Sequence, residues 1–291
     1  MLPRRERLRK RLKHLRNRFA MSTGPARAVF VFGDMRSGTN MLKECFYRTP
    51  RTAVFNESDP EAFDDFMLRE LPVIERLVAR SPAALVVFKS LADSARAVEL
   101  LDHFEGSTGI WIYRRYQDVV NSAVRTTNWR SPLENLRITV EDPERARWRR
   151  LNLSDTQLEL LRSHYQRGID DNSARALIWY VRNDLYFSQQ LEGDPRVALV
   201  NYEMLVESPE DELRRAWAHV GLDLDRRHHE HVSRNSVGRH AEPRIDPEIA
   251  TLADDMMRRL DDARARQAPA ATSASDRDAG SAVAPLRTCR T

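Results

Sequence analysis

The residues best suited to chemistry sit in one short stretch. Val29-Phe30-Val31-Phe32-Gly33-Asp34-Met35-Arg36-Ser37-Gly38-Thr39-Asn40-Met41-Leu42 runs an apolar segment into G-x-x-x-x-G and then into a helical pattern. Gly33 and Gly38 let the backbone close around an anion, and a helix beginning there aims its free N–H groups at the same point. Arg36, Ser37, Thr39 and Asn40 add side-chain donors. An ordinary strand-to-helix turn is the bland alternative; the density of donors favours a phosphate-binding loop. It is not a Walker A loop, because Thr39 occupies the position of the Lys and the cation, Arg36, lies inside the loop. No apolar strand runs into an Asp to hold Mg²⁺: Ala84–Phe88 leads into Lys89, and Gly109–Tyr113 leads into Arg114. Cations stand where metal-holding carboxylates would, which points to anion chemistry stabilised by side-chain charge, with no metal.

The elements that must position these groups are legible as short apolar runs. Ala28–Phe32, Thr52–Phe55, Ala84–Phe88, Gly109–Tyr113 and Arg196–Asn201 read as buried strands. Helical patterns lie between them: 38–47, 60–80 (interrupted by Pro72), a stretch through Ala97 and Leu101, 173–190 and 209–220. Alternating strands and helices predict an α/β fold with a central parallel sheet, helices on both faces and a P-loop-like phosphate loop. The stretch 126–172 breaks the rhythm. It is polar, with Trp129 and Trp148 as isolated aromatics, and reads as a subregion inserted over the binding edge of the sheet.

Net charge is +4, unevenly spread. Residues 1–20 hold nine Lys/Arg against one Glu, and residues 263–291 hold five Arg against two Asp, so the body between carries −7. The basic character belongs to the ends, and nucleic acid is not an expected partner. Leu8, Leu12, Leu15 and Phe19 recur at helical spacing among cations, predicting a basic amphipathic helix over 1–24. Such a helix can lie on an anionic membrane surface, or be merely a solvated leader. It lacks the apolar core of a secretory signal, and Met21 is a second possible start. The remaining division is a 25–262 domain and a disordered Ala/Ser/Asp/Pro-rich tail over 263–291. Cys45 and Cys289 give neither a disulfide framework nor a metal spacing, and no apolar run approaches the roughly 18 residues of a bilayer span. The expected location is the cytoplasm, with membrane contact through residues 1–20.

In this setting the chain resembles the sulfotransferases that use 3′-phosphoadenosine 5′-phosphosulfate (PAPS), in particular bacterial and carbohydrate-type members. Arg36-Ser37-Gly38-Thr39 is similar to their 5′-phosphosulfate loop. Arg114 and Ser122, within Tyr113–Arg125, match the pair that grips the 3′-phosphate, although Arg115-Tyr116-Gln117 replaces the family's Asp-Pro-Arg. Trp179 and Asn183, Asn201-Tyr202-Glu203 and the loop Arg234–Arg239 follow in family order, so the resemblance spans about 28–260. It implies PAPS as co-substrate and PAP as product, with Ser236, Gly238 and Arg239 covering the nucleotide. It also implies sulfonate transfer to an acceptor hydroxyl, of a carbohydrate or glycolipid among other candidates.

Charge stabilisation in such a transfer falls to Arg36 and Lys89. For the base the resemblance points to Glu57 after the second strand, with Asp59 as its rival. His103 follows Lys89, and His228, His229 and His231 sit in a polar stretch that reads as a solvated helix face; Cys45 reads as core. The rival functions are a P-loop kinase, opposed by Thr39 and the missing metal Asp, and a membrane- or RNA-associated binding module that uses residues 1–20. Acceptor choice is expected to lie in loops 59–80 and 126–172.

Overall fold

The computed structural model describes residues 12–13, 24–125, 130–233 and 238–267. Among them, five strands form one parallel sheet: β1 (Arg27–Gly33), β2 (Thr52–Phe55), β5 (Leu85–Lys89), β6 (Thr108–Tyr113) and β7 (Val197–Asn201), in the order β2-β5-β1-β6-β7. β1 is central, paired in register with β5 from Arg27↔Leu85 to Val31↔Lys89 and with β6 from Val29↔Thr108 to Gly33↔Ile112. Strands buried on both faces need apolar residues at every position, which is why they read as continuous runs rather than alternating ones.

The alternation reappears in what each face packs against. Phe30, Phe32, Phe88, Trp111 and Tyr113 join one core cluster; Val29, Val31, Val87, Ile110 and Ile112 join the other. On the aromatic face, Phe30 stacks on Phe88 with centroids 5.7 Å apart, and Phe88 on Phe55 at 5.4 Å. The long helix α8 (Asp171–Ser188) covers this face together with α4 (Tyr116–Val124) and α11 (Pro247–Arg266). The aliphatic face is covered by α1 (Thr39–Arg48) and α10 (Pro209–Val220), joined through Phe46 and Trp217 at 4.5 Å.

Residues 60–80 depart from the helical expectation. A two-stranded hairpin, β3 (Phe63–Asp64) and β4 (Met67–Leu68), comes first, and the helix α2 (Leu71–Ala79) follows it. Pro72 lies in the first turn of α2, where its missing N–H has no intrahelical partner to lose, so it starts the helix rather than interrupting it. The stretch after β5 also opens with a 3₁₀ turn (Ala92–Arg96) before α3 (Ala97–His103).

The subregion 126–172 is helical where described: α5 (Pro132–Glu141), the single turn α6 (Pro143–Ala146) and α7 (Asp155–Gln166). It is less polar in place than on paper, because Leu136, Trp148 and Leu161 are buried. Trp129 lies outside the described residues. At the C-terminal end α11 runs through Arg266, so the expected boundary at 262/263 is moved by a helix whose buried face continues to Ala263. The tail from 268 onward lies outside the described residues, as does the N-terminal stretch apart from Leu12 and Lys13. Lys13 docks where α1 ends and β2 begins: its Nζ donates to Phe46 O (2.9 Å) and Tyr47 O (2.6 Å) in the last turn of α1 and to Thr52 Oγ1 (2.6 Å) at the start of β2. A cation on the last carbonyls of a helix is favoured by the helix dipole. Among the described residues no helix is long and apolar enough to cross a membrane.

Candidate active site

Ligand sites in open α/β sheets form at the carboxyl ends of the strands. Here five adjacent strand ends deliver side chains to one cavity of about 590 Å³. β1 contributes Gly33 and the loop behind it, β2 Glu57, β5 Lys89, β6 Arg114 and β7 Tyr202.

The loop after β1 is held open from several sides. Gly33 (φ +127°) lies so close to β6 that a Cβ there would stand 2.3 Å from Ile112 O. Ser94 Oγ pins it further, accepting from Gly33 N at 3.0 Å and donating to Gly33 O at 3.2 Å. Gly38 (φ +89°) packs its open face on Tyr202, whose ring carbon would be 2.0 Å from a Cβ. Arg36 is also left-handed (φ 70°) and so sits in a strained turn between the two glycines. Ser37 is fully buried, and its Oγ has no hydrogen-bond partner among the described residues. The first turn of α1 has no side-chain cap, so its N–H groups point into the loop unclaimed by a side chain. A buried orphan hydroxyl and an uncapped helix start around a glycine cradle are what a phosphate group would satisfy.

Arg36 Nε donates to Ser122 Oγ at 2.8 Å, which joins the first loop to α4. Arg114 lies just before that helix, which starts at Tyr116 despite the altered Arg115-Tyr116-Gln117 sequence. Its Nη1 reaches Arg36 O at 3.3 Å, and its guanidinium stacks over the Tyr202 ring at 4.5 Å. Asp118 (3.5 Å) and Glu203 (3.9 Å) flank it. Burial, then the charges of Arg114 and Arg175, push the Arg36 pKa down. Burial raises the Glu203 carboxyl to about 7 against the opposing pull of backbone hydrogen bonds and Arg114.

Across the cavity, Lys89 Nζ bonds Glu57 Oε2 at 2.5 Å. Lys89 is 5% exposed and is therefore not a surface lysine. Asp59, the rival base, is buried and accepts from Asn56 N at 2.7 Å; it shapes its own loop and does not line the cavity.

Several groups at the site went unread in the sequence. Asp34 and Arg175 form a buried ion pair at 2.6 Å, and Arg175 also donates to Met35 O at 2.9 Å, bracing the loop from α8. Arg182, two turns further along α8, donates to Leu91 O at 2.5 Å. The available signal was the pair of arginines seven residues apart on the same stripe as Ile178 and Leu185, since a buried helix face carries charge only where it is paired. Trp148 also joins the cavity wall.

Ser236 lies outside the described residues. Gly238 and Arg239 are exposed and do not line the cavity, although Gly238 N reaches Asp118 Oδ2 at 3.3 Å, one residue contact away from Arg114. His103 pairs with Glu75 at 2.7 Å on the surface. His228 differs from the expected solvated face: it is buried, accepting from Trp217 Nε1 at 3.2 Å. His164, Asp246 and Glu248 stand close enough to share a cation, but Arg167 already bonds both His164 and Glu248. Cys45 is core, its thiol pushed up to about 12 by burial.

No protein-family model matches the chain, and neither does any curated protein. Among solved structures it is similar to the sulfotransferase domain from the curacin biosynthetic pathway (TM-score 0.48, 14% identity, 81% of this chain and 99% of that chain). It is similar also to a sulfotransferase from Alicyclobacillus acidocaldarius (0.47, 14%, 85% and 98%). A third is mouse sulfotransferase SULT7A1 complexed with PAP (0.44, 16%, 87% and 92%). These likenesses are remote, and the functional reading rests on the site itself.

Proposed function

We propose that the chain transfers a sulfonate group from PAPS to an acceptor hydroxyl at the carboxyl ends of β1, β2 and β5. The observation that carries this is the convergence, in one cavity, of an uncapped glycine loop, the Arg36–Ser122–Arg114 cluster and the Glu57–Lys89 pair. The loop and Arg114 suit the two separate phosphates of such a nucleotide, and an Arg fork recognises phosphate bidentately. When bound, the nucleotide supplies an activated sulfonate.

The chain's own residues do the rest. Glu57 takes the proton of the acceptor hydroxyl as that oxygen forms its bond to sulfur. Lys89 and Arg36 hold the charge that collects on the sulfonate and on the bridging oxygen as the S–O bond to phosphate breaks. Both electrons of that bond leave with the phosphate, and PAP departs. Positioning and electrostatic stabilisation suffice for group transfer of this kind. Thr39 in place of the Walker lysine, and Lys89 and Arg114 at strand ends where a metal-holding Asp belongs, speak against the kinase alternative.

The test is turnover. The full chain supplied with PAPS and a panel of sugar, phenol and lipid-linked hydroxyl acceptors is expected to release PAP in step with sulfated product. Phosphotransfer from Mg²⁺–ATP to the same panel, without PAP release from PAPS, overturns the reading.

A further inference from the structure

The cavity lining holds cations beyond those that gather at the loop after β1. Its lining holds seven cations against two carboxylates, and both carboxylates are engaged: Asp34 by Arg175 and Glu57 by Lys89. The cations form two groups with Arg175 between them. On one side Arg175 acts on Arg36 and, through it, adjoins Arg114. On the other side Arg182 feels Asp34 and Asp93 first, then Arg175 and Arg149, and Arg149 in turn feels Arg130 and Asp65. The second group lies on α8 and on the 126–172 subregion, away from the phosphate loop in sequence and in element.

Trp148 organises this second group. The Arg149 guanidinium lies 4.6 Å from its ring centroid and that of Arg182 5.5 Å, so one indole holds two like charges that would otherwise repel. Arg149 Nε is fixed by Asn135 Oδ1 at 3.2 Å, and Asn135 Nδ2 reaches Arg130 O at 3.3 Å. Arg182 is 4% exposed, and its Nη1 has no hydrogen-bond partner among the described residues. A buried guanidinium with an unsatisfied donor costs free energy unless something accepts from it. The same cavity is also lined by apolar side chains, Leu153, Leu161, Ile178 and Val181 among them.

We infer that Arg182 and Arg149 on Trp148, with Arg130 beside Arg149, form an acceptor subsite for an oxyanion. The acceptor class is then a hydroxyl-bearing molecule with an apolar body and a carboxylate or similar anion at its far end. This rests on the sulfonate-transfer reading for its hydroxyl, but the anion subsite stands on its own residues. The apolar body lies along Leu153, Ile178 and Val181, the oxyanion takes the free Arg182 donor, and the hydroxyl is left toward Glu57.

The experiment compares 4-hydroxybenzoate with 4-hydroxybenzamide, equal in shape and differing in charge, by calorimetry on the full chain with and without saturating PAP. The acid is expected to bind about tenfold or more tightly than the amide, the size of a charge-assisted hydrogen bond. Arg149→Gln, at a partly buried position, is expected to erase that preference while leaving PAP affinity unchanged. Arg182→Lys, checked for folding by its thermal transition, is expected to weaken the acid as well, because a Lys cannot reproduce the fork. Equal binding of acid and amide overturns the subsite. So does an Arg149→Gln chain that loses PAP affinity as strongly as acid affinity, since the cluster would then serve the nucleotide. Failure of the unaltered chain to bind PAP strikes the donor reading instead, and the comparison made without PAP still decides the subsite.

Discussion

Lys89 Nζ and Glu57 Oε2 meet at 2.5 Å, Lys89 as the last residue of β5 and Glu57 two residues past the end of the neighbouring β2. Register sets the meeting. Phe55 and Phe88 are paired across β2 and β5, so Lys89, next after Phe88, lies level with the chain leaving β2, which brings Glu57 over the cavity one residue later. The cation orients the carboxylate, and the carboxylate keeps a buried ammonium from standing alone. Glu57→Gln is expected to lower kcat by about 10²–10⁴, the usual worth of a positioned base, with PAP affinity within about twofold of the unaltered chain. Steady-state PAP release and PAP titration on the same preparation check it. A Glu57→Gln chain with full kcat removes Glu57 from the chemistry.

The loop's glycines carry the second prediction. At Gly38 a methyl group meets the Tyr202 ring and forces a left-handed residue to carry a Cβ. Gly38→Ala is expected to destabilise the fold by about 1–3 kcal/mol and to abolish PAP binding. Gly238, also left-handed but with nothing within 4 Å of an added Cβ, is the control: Gly238→Ala is expected to carry the left-handed strain alone, about 1–2 kcal/mol, and so to cost less than Gly38→Ala. Denaturant melts of both variants separate the two outcomes.

Asp34 and Arg175 give a third. Both are buried, and removing one leaves the other charged without its partner. Asp34→Asn and Arg175→Gln are each expected to cost about 3–5 kcal/mol, and the double variant less than their sum. Additive losses in a double-mutant cycle would show that the pair is not coupled.

Stability should also depend on pH through Glu203. Burial raises its carboxyl from 4.5 to about 7, so the folded chain binds this proton more tightly than the unfolded one. The contribution is fully present below pH 4.5 and is lost as pH rises to about 7, flattening above that. Glu203→Gln is expected to remove this decline. Chemical melts from pH 4.5 to 8 check it, and an unchanged slope in the variant contradicts it.

Much of the scaffold was legible because its physics is local. A strand buried on both faces must be apolar throughout, and Ala28–Phe32 and its four counterparts showed that in sequence within a residue or two of the structural bounds. Gly33, Gly38 and the donors between them were legible as backbone chemistry. What escaped was set by long-range contact. Asp34 carries no mark of burial, and the apolar stripe that holds Arg175 and Arg182 does not name their partners until α8 is laid against the loop after β1, 141 residues away in the case of the ion pair. Tyr202 reads as a strand-end aromatic until Gly38 is seen to need its ring. The hairpin at 63–68 hid inside an apolar pattern because so short a pair of strands has no period of its own. In the sequence only the resemblance ranks Glu57 above Asp59; the fold supplies the physical difference, turning Asp59 inward to its loop and Glu57 to Lys89.

The central claim is that the loop after β1 and Arg114 hold a nucleotide bearing phosphates at both its 5′ and 3′ positions. Calorimetric titration of the full chain with PAP, ADP and ATP, with and without Mg²⁺, tests this most directly. PAP is expected to bind without Mg²⁺ and well ahead of ADP, and Arg114→Ala to erase that preference. Binding of ATP that requires Mg²⁺ and ignores the 3′-phosphate would contradict the account.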